Sequence, residues 1–339
     1  MSAETPVCQL LSRQDADYRG WWWVAPPRDA WLEGGEGVAV SADLAVREAW
    51  RARGRPACSP FDAGLPGMPP GAVLFWPKSH ALGEWWLLWL CATLPAGTPL
   101  ELVGENQGGI KRVLKVLAAL GLGCRKVDSA RRCTLFATRL ATVDLAPEAA
   151  WTTFDADLGD GRLTLASHPG VFGHNKLDEG TQLLLSCLPE ALPGGEEAGR
   201  GDVLDLGCGD GILAAWLARR GHGVTAVDVS SFAVAATRRT LAANGLGGEA
   251  LESDVYSALG GRRFAAIVSN PPFHQERAID YGPAARLIAE APAHLMPGGR
   301  LILVANAFLP YPDRLERAFG GFEILADDRR FRVYRAVKD

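Results

Sequence analysis

From residue 202 onward, short apolar runs alternate with segments of helical period, and this alternation constrains the fold more than any other feature of the chain. DVLDL (202–206), GVTAVDV (223–229), EALES (249–253), FAAIVS (264–269) and RLILVAN (300–306) read as strands. GILAAWLARR (211–220), SFAVAATRRTLAANG (231–245) and a stretch around 283–295 read as helices, the second stopped by Asn244-Gly245. Strands joined in turn by helices imply a parallel sheet with helices on both faces. GFEILAD (321–327) and RFRVYRAV (330–337), with Asp328-Arg329 near the turn, form a closing hairpin that adds an antiparallel strand. The expected fold class is α/β and doubly wound, with its ligand outside the carboxyl ends of the strands.

The distinctive residues fall at those ends. Asp205-Leu-Gly207-Cys208-Gly209-Asp-Gly211 joins the first strand to the first helix, and its glycines let backbone amides approach a ligand closely. A dinucleotide fingerprint requires a third glycine three residues after the second, but position 212 is Ile. The pattern is instead similar to motif I of class I S-adenosylmethionine-dependent methyltransferases. Asp228, followed by Val229, ends the next strand, where a carboxylate can accept two ribose hydroxyls. Asp254, followed by Val255, ends the third, and the same resemblance gives it the adenine amine. Taken alone, Asp228 could be a surface acid and Asp254 a turn or capping acid. Together with the glycine turn they outline one site.

Asn270-Pro271-Pro272-Phe273 follows the fourth strand. Two prolines end the hydrogen-bond ladder, and each restricts the residue before it. In the methyltransferase setting this turn resembles the (Asn/Asp/Ser)-Pro-Pro-(Phe/Tyr/Trp) motif of enzymes acting on planar nitrogen. The residue types suit that chemistry. Accepting both N–H bonds of an amine, with the Asn270 side-chain oxygen and the Pro271 carbonyl, turns its lone pair toward the methyl donor. Phe273 can stack on a base. A purely structural turn would need neither the Asn nor the exposed ring. His168, His174 and His274 read as positional or surface histidines.

The first half is less regular. AVLFW (72–76), LELV (100–103) and CTLFATRL (133–140) read as strands, and 82–94 and GIKRVLKVLAAL (109–120) as helices. Residues 1–69 are rich in Trp, Pro and Gly and resist ordering. A linker is expected near 141–160, around Pro147 and DADLGDG (155–161), which separates a domain over 1–150 from one over 160–339. ELVGENQGGI (101–110) echoes DVLDLGCGDGIL (202–213), as though a duplicated first copy had lost its glycine run.

Composition narrows the partners. Seven scattered cysteines never form CxxC, which argues against a disulfide framework and a zinc site, so no metal is expected. The most apolar run (82–94) contains Glu84 and is too short for a bilayer, and no N-terminal segment reads as a secretion signal. A cytoplasmic protein without membrane contact is expected. Net charge is −4, so nucleic acid would have to be held by local clusters, by a partner protein, or both. The clusters are Arg51/Arg53/Arg55, Arg125/Lys126 with Arg131/Arg132, and Arg329/Arg330/Arg332/Arg335, each of which alone also fits a solvated surface.

HPGVFGHNKLDEGTQLLLSCLP (168–189), SNPPFH (269–274), VANAFLPYP (304–312), RFRVYRA (330–336), VLFWPKS (73–79), VGEN (103–106) and KVDSARRC (126–133) together resemble the RsmC family of small-subunit rRNA guanine-N2 methyltransferases. The resemblance covers most of the chain from about residue 70. It implies two tandem methyltransferase-like domains, the first degenerate and the second binding S-adenosylmethionine. It also implies guanine 1207 of 16S rRNA as target, within the small ribosomal subunit, and a monomeric enzyme is expected. By the same resemblance Asp205, Gly207 and Gly209 contact the methionine end of the cofactor, and Cys208 between them is also cofactor-binding. Asp228 holds the ribose and Asp254 the adenine amine, and Val229 and Val255 beside them are also cofactor-binding. The loop from Phe172 to Asp178 closes over the cofactor, with Asp178 also capping the next helix, and Asn270, Pro271, Pro272 and Phe273 take the guanine. Alternatives are a large-subunit guanine-N2 methyltransferase, a release-factor glutamine methyltransferase, and a non-catalytic ribosome-assembly factor that kept the fold.

Overall fold

The computed structural model describes residues 2–159, 161–173, 175–192, 202–271 and 282–339. They form two compact units, Met1–Trp151 and Thr152–Asp339. The first unit holds strands β1 (Trp22–Val24), β2 (Val38–Val40), β3 (Ala57–Cys58), β4 (Ala72–Phe75), β5 (Pro99–Glu105), β6 (Arg125–Ala130) and β7 (Cys133–Arg139). They form one sheet in the order β3-β2-β1-β4-β5-β7-β6, parallel from β3 to β5 and closed by an antiparallel pair.

The second unit begins with a hairpin of β8 (Thr152–Asp157) and β9 (Arg162–Ser167). Its main sheet comprises β10 (Val203–Leu206), β11 (Val224–Asp228), β12 (Glu249–Glu252), β13 (Phe264–Ser269), β14 (Leu295–Asn306), β15 (Glu323–Asp327) and β16 (Phe331–Val337). Their order is β12-β11-β10-β13-β14-β16-β15, strand for strand the order of the first sheet. Alternate residues of the central strands feed two buried layers. Val203 packs with Leu188 and Trp216, while Leu204 packs with Ile267 and Ile288. Central parallel strands buried on both faces read as continuous apolar runs, which is why this half was legible.

Shared topology supports the duplication, but it relocates the echo. In the first sheet the position of β10 is held by β1, not by β5, so the likeness of 101–110 to 202–213 pairs strands that do not correspond. The unordered segment 1–69 supplies the first three strands, of only three, three and two residues, too short for a period-2 signal. The expected linker is also corrected: β8 occupies Thr152–Asp157, and Leu158-Gly159 belongs to the turn toward β9. The second unit thus starts before residue 160.

In the first unit bulk replaces regularity. Trp22, Trp50 and Trp86 are fully buried, and the helix His80–Thr93 is buried along most of its length. No helix of the described residues is long and apolar enough to cross a membrane.

Candidate active site

In the second unit the carboxyl ends of β10, β11 and β13 surround a cavity of about 250 Å³. Its lining includes Phe172, Asp178, Gly207, Cys208, Gly209, Asp228, Val229, Asn270 and Pro271, nine of the residues singled out in the sequence. Thr181, Asp210, Lys176 and Ser230 line it as well. Thr181 lies three residues beyond Asp178, so helical spacing places both on one face and could have found it.

The glycine turn divides its labour. Gly207, Gly209 and Gly211 all have positive φ (81°, 54° and 83°). A Cβ at Gly209 would meet nothing within 4 Å, and one at Gly207 only the Asn270 carbonyl oxygen at 4.0 Å. At Gly211 it would lie 2.7 Å from the Thr237 Cα, so this glycine is required for packing. The first two leave space in the cavity, and the third seats the helix Ile212–Arg219 against its neighbour.

Asp228 ends β11 with its carboxylate oriented by two amides: Gly209 N–H donates to Oδ2 at 3.2 Å and Ser230 N–H to Oδ1 at 2.9 Å. Asp205 is fully buried beneath the turn, outside the cavity lining. Its Oδ2 accepts the Ala214 N–H at 3.0 Å, and its Oδ1 has no hydrogen-bond partner among the described residues. Burial, reinforced by the charges of Asp228 and Asp210, pushes its pKa up to about 8, against the opposing Ala214 amide. Asp210 is pushed up to about 6, again mainly by burial and in part by Asp178.

Asp178 caps the helix Glu179–Ala191, as expected: Thr181 N–H donates to its Oδ2 at 3.1 Å. The same oxygen accepts from Asn270 Nδ2 at 3.0 Å, and Thr181 Oγ1 accepts from Nδ2 at 2.7 Å. Both N–H bonds of the carboxamide are thereby engaged, which leaves its oxygen as the acceptor for a ligand. Pro272, Phe273, His174 and His274 lie outside the described residues.

Asp254 and Val255 stand apart from the cavity lining. The Asp254 carboxylate receives Arg286 Nη1 at 2.8 Å, and Val255 is buried with φ of 56°. His168 is no surface residue: it is fully buried, stacks on Phe232 at 4.5 Å, and its Nδ1 accepts the Gly170 N–H.

The cavity suits a cation. Asp178, Asp210 and Asp228 line it, with Asp205 below and Lys176 as the positive side chain of its lining. A pyrophosphate would face three carboxylates, whereas the sulfonium of S-adenosylmethionine would be attracted to them. The space left above Gly207 and Gly209 and an oriented strand-end carboxylate complete a site that fits this cofactor.

The first unit carries the same turns without this chemistry. Ala25 N–H donates to Val40 O as Gly207 N–H donates to Val227 O, which aligns the two sheets residue by residue. Ala25, with φ of 52° and followed by two prolines, therefore stands where Gly207 does. Ser41 replaces Asp228, and Phe75-Trp76 replaces Asn270-Pro271.

Two family descriptions match the chain: "Methyltransferase small domain" over residues 162–335 and "Methyltransferase small domain N-terminal" over residues 60–153. A "Ribosomal RNA small subunit methyltransferase C" of Chromohalobacter salexigens is 68% identical over 338 residues, 100% of this chain and 99% of that protein. The chain belongs to the ribosomal RNA small subunit methyltransferase C family. Another member, from Pseudomonas aeruginosa, is 47% identical over 83% of each chain. A solved structure of the family is that of the T. thermophilus 16S rRNA N2 G1207 methyltransferase (RsmC) in complex with AdoMet and guanosine. It is 30% identical, with a TM-score of 0.86, over 99% of this chain and 92% of that one.

Proposed function

We propose that this chain transfers a methyl group from S-adenosylmethionine to the exocyclic N2 amine of guanine 1207 in 16S rRNA of the small ribosomal subunit. The observation that carries the reading is the full-length likeness to small subunit methyltransferase C proteins, one of them solved with AdoMet and guanosine. The acidic, glycine-floored cavity beside Asn270 supports it from this chain's own residues.

The cofactor, when bound, supplies a methyl group on a sulfonium, an electrophile whose leaving group is a neutral thioether. Gly207 and Gly209, lacking a Cβ, would leave room for the cofactor at the cavity floor, and Asp228 would accept the ribose hydroxyls. Asp178, Asp210 and Asp228 keep the local potential negative. Phe172, exposed at the cavity, covers the cofactor from the loop before the helix Glu179–Ala191.

An amine conjugated to a purine ring is a poor nucleophile because its lone pair is delocalised. The Asn270 side-chain oxygen and the Pro271 carbonyl accept its two N–H bonds and turn the lone pair toward the methyl. Because the amine becomes acidic as it is methylated, orientation contributes more than a general base. Asp254 remains the expected acceptor for the adenine amine, in competition with Arg286.

The reading is tested with labelled S-adenosylmethionine and small subunits from a strain lacking the enzyme. Label is expected in one guanine; label in another base or in protein would refute the proposal. Asn270→Ala is expected to keep cofactor affinity within about threefold while transfer falls roughly 100-fold or more.

A further inference from the structure

The hairpin of β6 and β7 turns through two residues, since Ala130 pairs with Cys133. Those residues are Arg131 and Arg132, with φ of 54° and 60°. Two successive residues in the left-handed region make the turn type that selects Asn-Gly or Gly-Gly, because a side chain there crowds the following carbonyl. Two arginines are therefore held where the backbone disfavours them, and both are exposed. Strain retained at an exposed turn asks for a use.

Their surroundings supply one. The Arg132 carbonyl accepts the Asn106 N–H at 2.8 Å, which fixes the turn at the carboxyl end of β5. The chain leaving β5 then sets Ile110 on Gly104, which pairs with Thr134 next to the turn. Exposed Lys111 and Arg112 follow directly. Lys111 and Arg112 thus lie on the segment that adjoins the Arg131-Arg132 turn, with Glu105, at the end of β5, paired with Cys133 beside that turn. Arg125 and Lys126 begin β6, roughly 17 Å away along the strand, so the cluster seen in the sequence is divided.

The matching hairpin of the second unit behaves differently. There Arg330 pairs with Glu179, Arg332 with Asp327 and Arg335 with Glu323. Among the described residues, no side chain of Lys111, Arg112, Arg131 or Arg132 has a hydrogen bond or ion pair. Unneutralised arginines on a rigid projecting turn fit phosphodiester oxygens, which accept from a planar guanidinium fork.

We propose that the Arg131-Arg132 turn, with Lys111 and Arg112, grips the phosphate backbone of the RNA substrate. The proposal rests on the rRNA reading above and gives the unit without the glycine turn a direct share in substrate binding. Contacts to phosphate position without reading sequence, so this surface sets affinity and leaves the choice of base to the other unit.

The test is the full-length variant R131N/R132G, whose turn suits the backbone better. Its first thermal transition is expected to rise by about 2–6 °C. Affinity for unmethylated small subunits should fall about tenfold at moderate salt, and the slope of log affinity against log salt should flatten by about 1.5. The KM for subunits should rise with kcat and cofactor affinity unchanged, and R131K/R132K should restore most of the affinity. Unchanged affinity and slope alongside wild-type methylation would overturn the phosphate contact and leave the rRNA reading intact. So would a lost affinity with an unchanged slope, which would point to a protein partner. Absence of guanine methylation by the wild type would instead overturn the rRNA reading.

Discussion

Asp178 and Asn270, ninety-two positions apart in sequence, are joined by a 3.0 Å hydrogen bond from Nδ2 of Asn270 to Oδ2 of Asp178. That oxygen also receives the helix-capping N–H of Thr181, whose hydroxyl accepts the second N–H of Asn270. A helix cap and a substrate-facing amide thus share one carboxylate, so the cap also decides which end of the amide points outward. Asp178 and Thr181 act as positioning residues for Asn270.

This geometry predicts a strong asymmetry between substitutions. Asn270→Asp places two carboxylates at hydrogen-bond distance with no amide to join them, and methyl transfer is expected to fall about 100-fold. Adding Asp178→Asn lets the amide donate in the opposite direction while its oxygen keeps the helix cap, and most of the rate should return. Thr181→Val removes one acceptor at nearly constant volume and should cost roughly 3- to 10-fold in kcat, with Thr181→Ser close to wild type. Single-turnover rates at saturating cofactor decide it. Equal rates for the Asn270→Asp single variant and its double partner would show that the shared carboxylate orients nothing.

The raised carboxylates give a second prediction, in pH. Asp210 and Asp205 titrate near 6 and 8 in the folded chain, whereas free carboxylates lose their protons near 4. Their contribution to stability is therefore present at low pH and is lost as pH rises from about 4 through these values. A cationic ligand prefers the ionised groups, so its binding releases protons. Affinity for S-adenosylmethionine should rise about tenfold between pH 5.5 and 8.5, while affinity for its neutral thioether product changes much less. Calorimetry in buffers of different ionisation enthalpy counts the protons. Parallel pH profiles for the two ligands would contradict this assignment of charge.

What the sequence disclosed followed physical regularity. Strands β10, β11 and β13 are buried on both faces, and their apolar runs end on Leu206, Asp228 and Ser269, where the sequence reading placed its site. Asp178 and Asn270 were each singled out, but their hydrogen bond was not, since local periodicity says nothing of contacts ninety residues apart. The first unit was opaque because β1 to β3 are so short and because tryptophan packing, not alternation, holds them. The echo failed for a related reason: once Gly207 becomes Ala25 and Asp228 becomes Ser41, only hydrogen-bond register identifies the corresponding strand. Asp254 looked equivalent to Asp228 by its place at a strand end, yet its carboxylate meets Arg286, from a helix that strand patterning could not bring there.

The third prediction separates two glycines of one turn. Gly209→Ala introduces a methyl that meets no protein atom within 4 Å, so its folding cost is the left-handed backbone alone, about 1–2 kcal/mol. That methyl projects into the cofactor cavity, and affinity for S-adenosylmethionine is expected to fall tenfold or more in a folded protein, about 1.4 kcal/mol. Gly211→Ala carries the same backbone cost and adds a collision with the Thr237 Cα at 2.7 Å. Overpacking against fixed backbone adds roughly 1–3 kcal/mol, so the second unit should unfold several degrees below the Gly209 variant. Thermal denaturation beside cofactor titration distinguishes the roles. A Gly211 variant no less stable than the Gly209 variant would mean that the third glycine serves the ligand and not the packing of its helix.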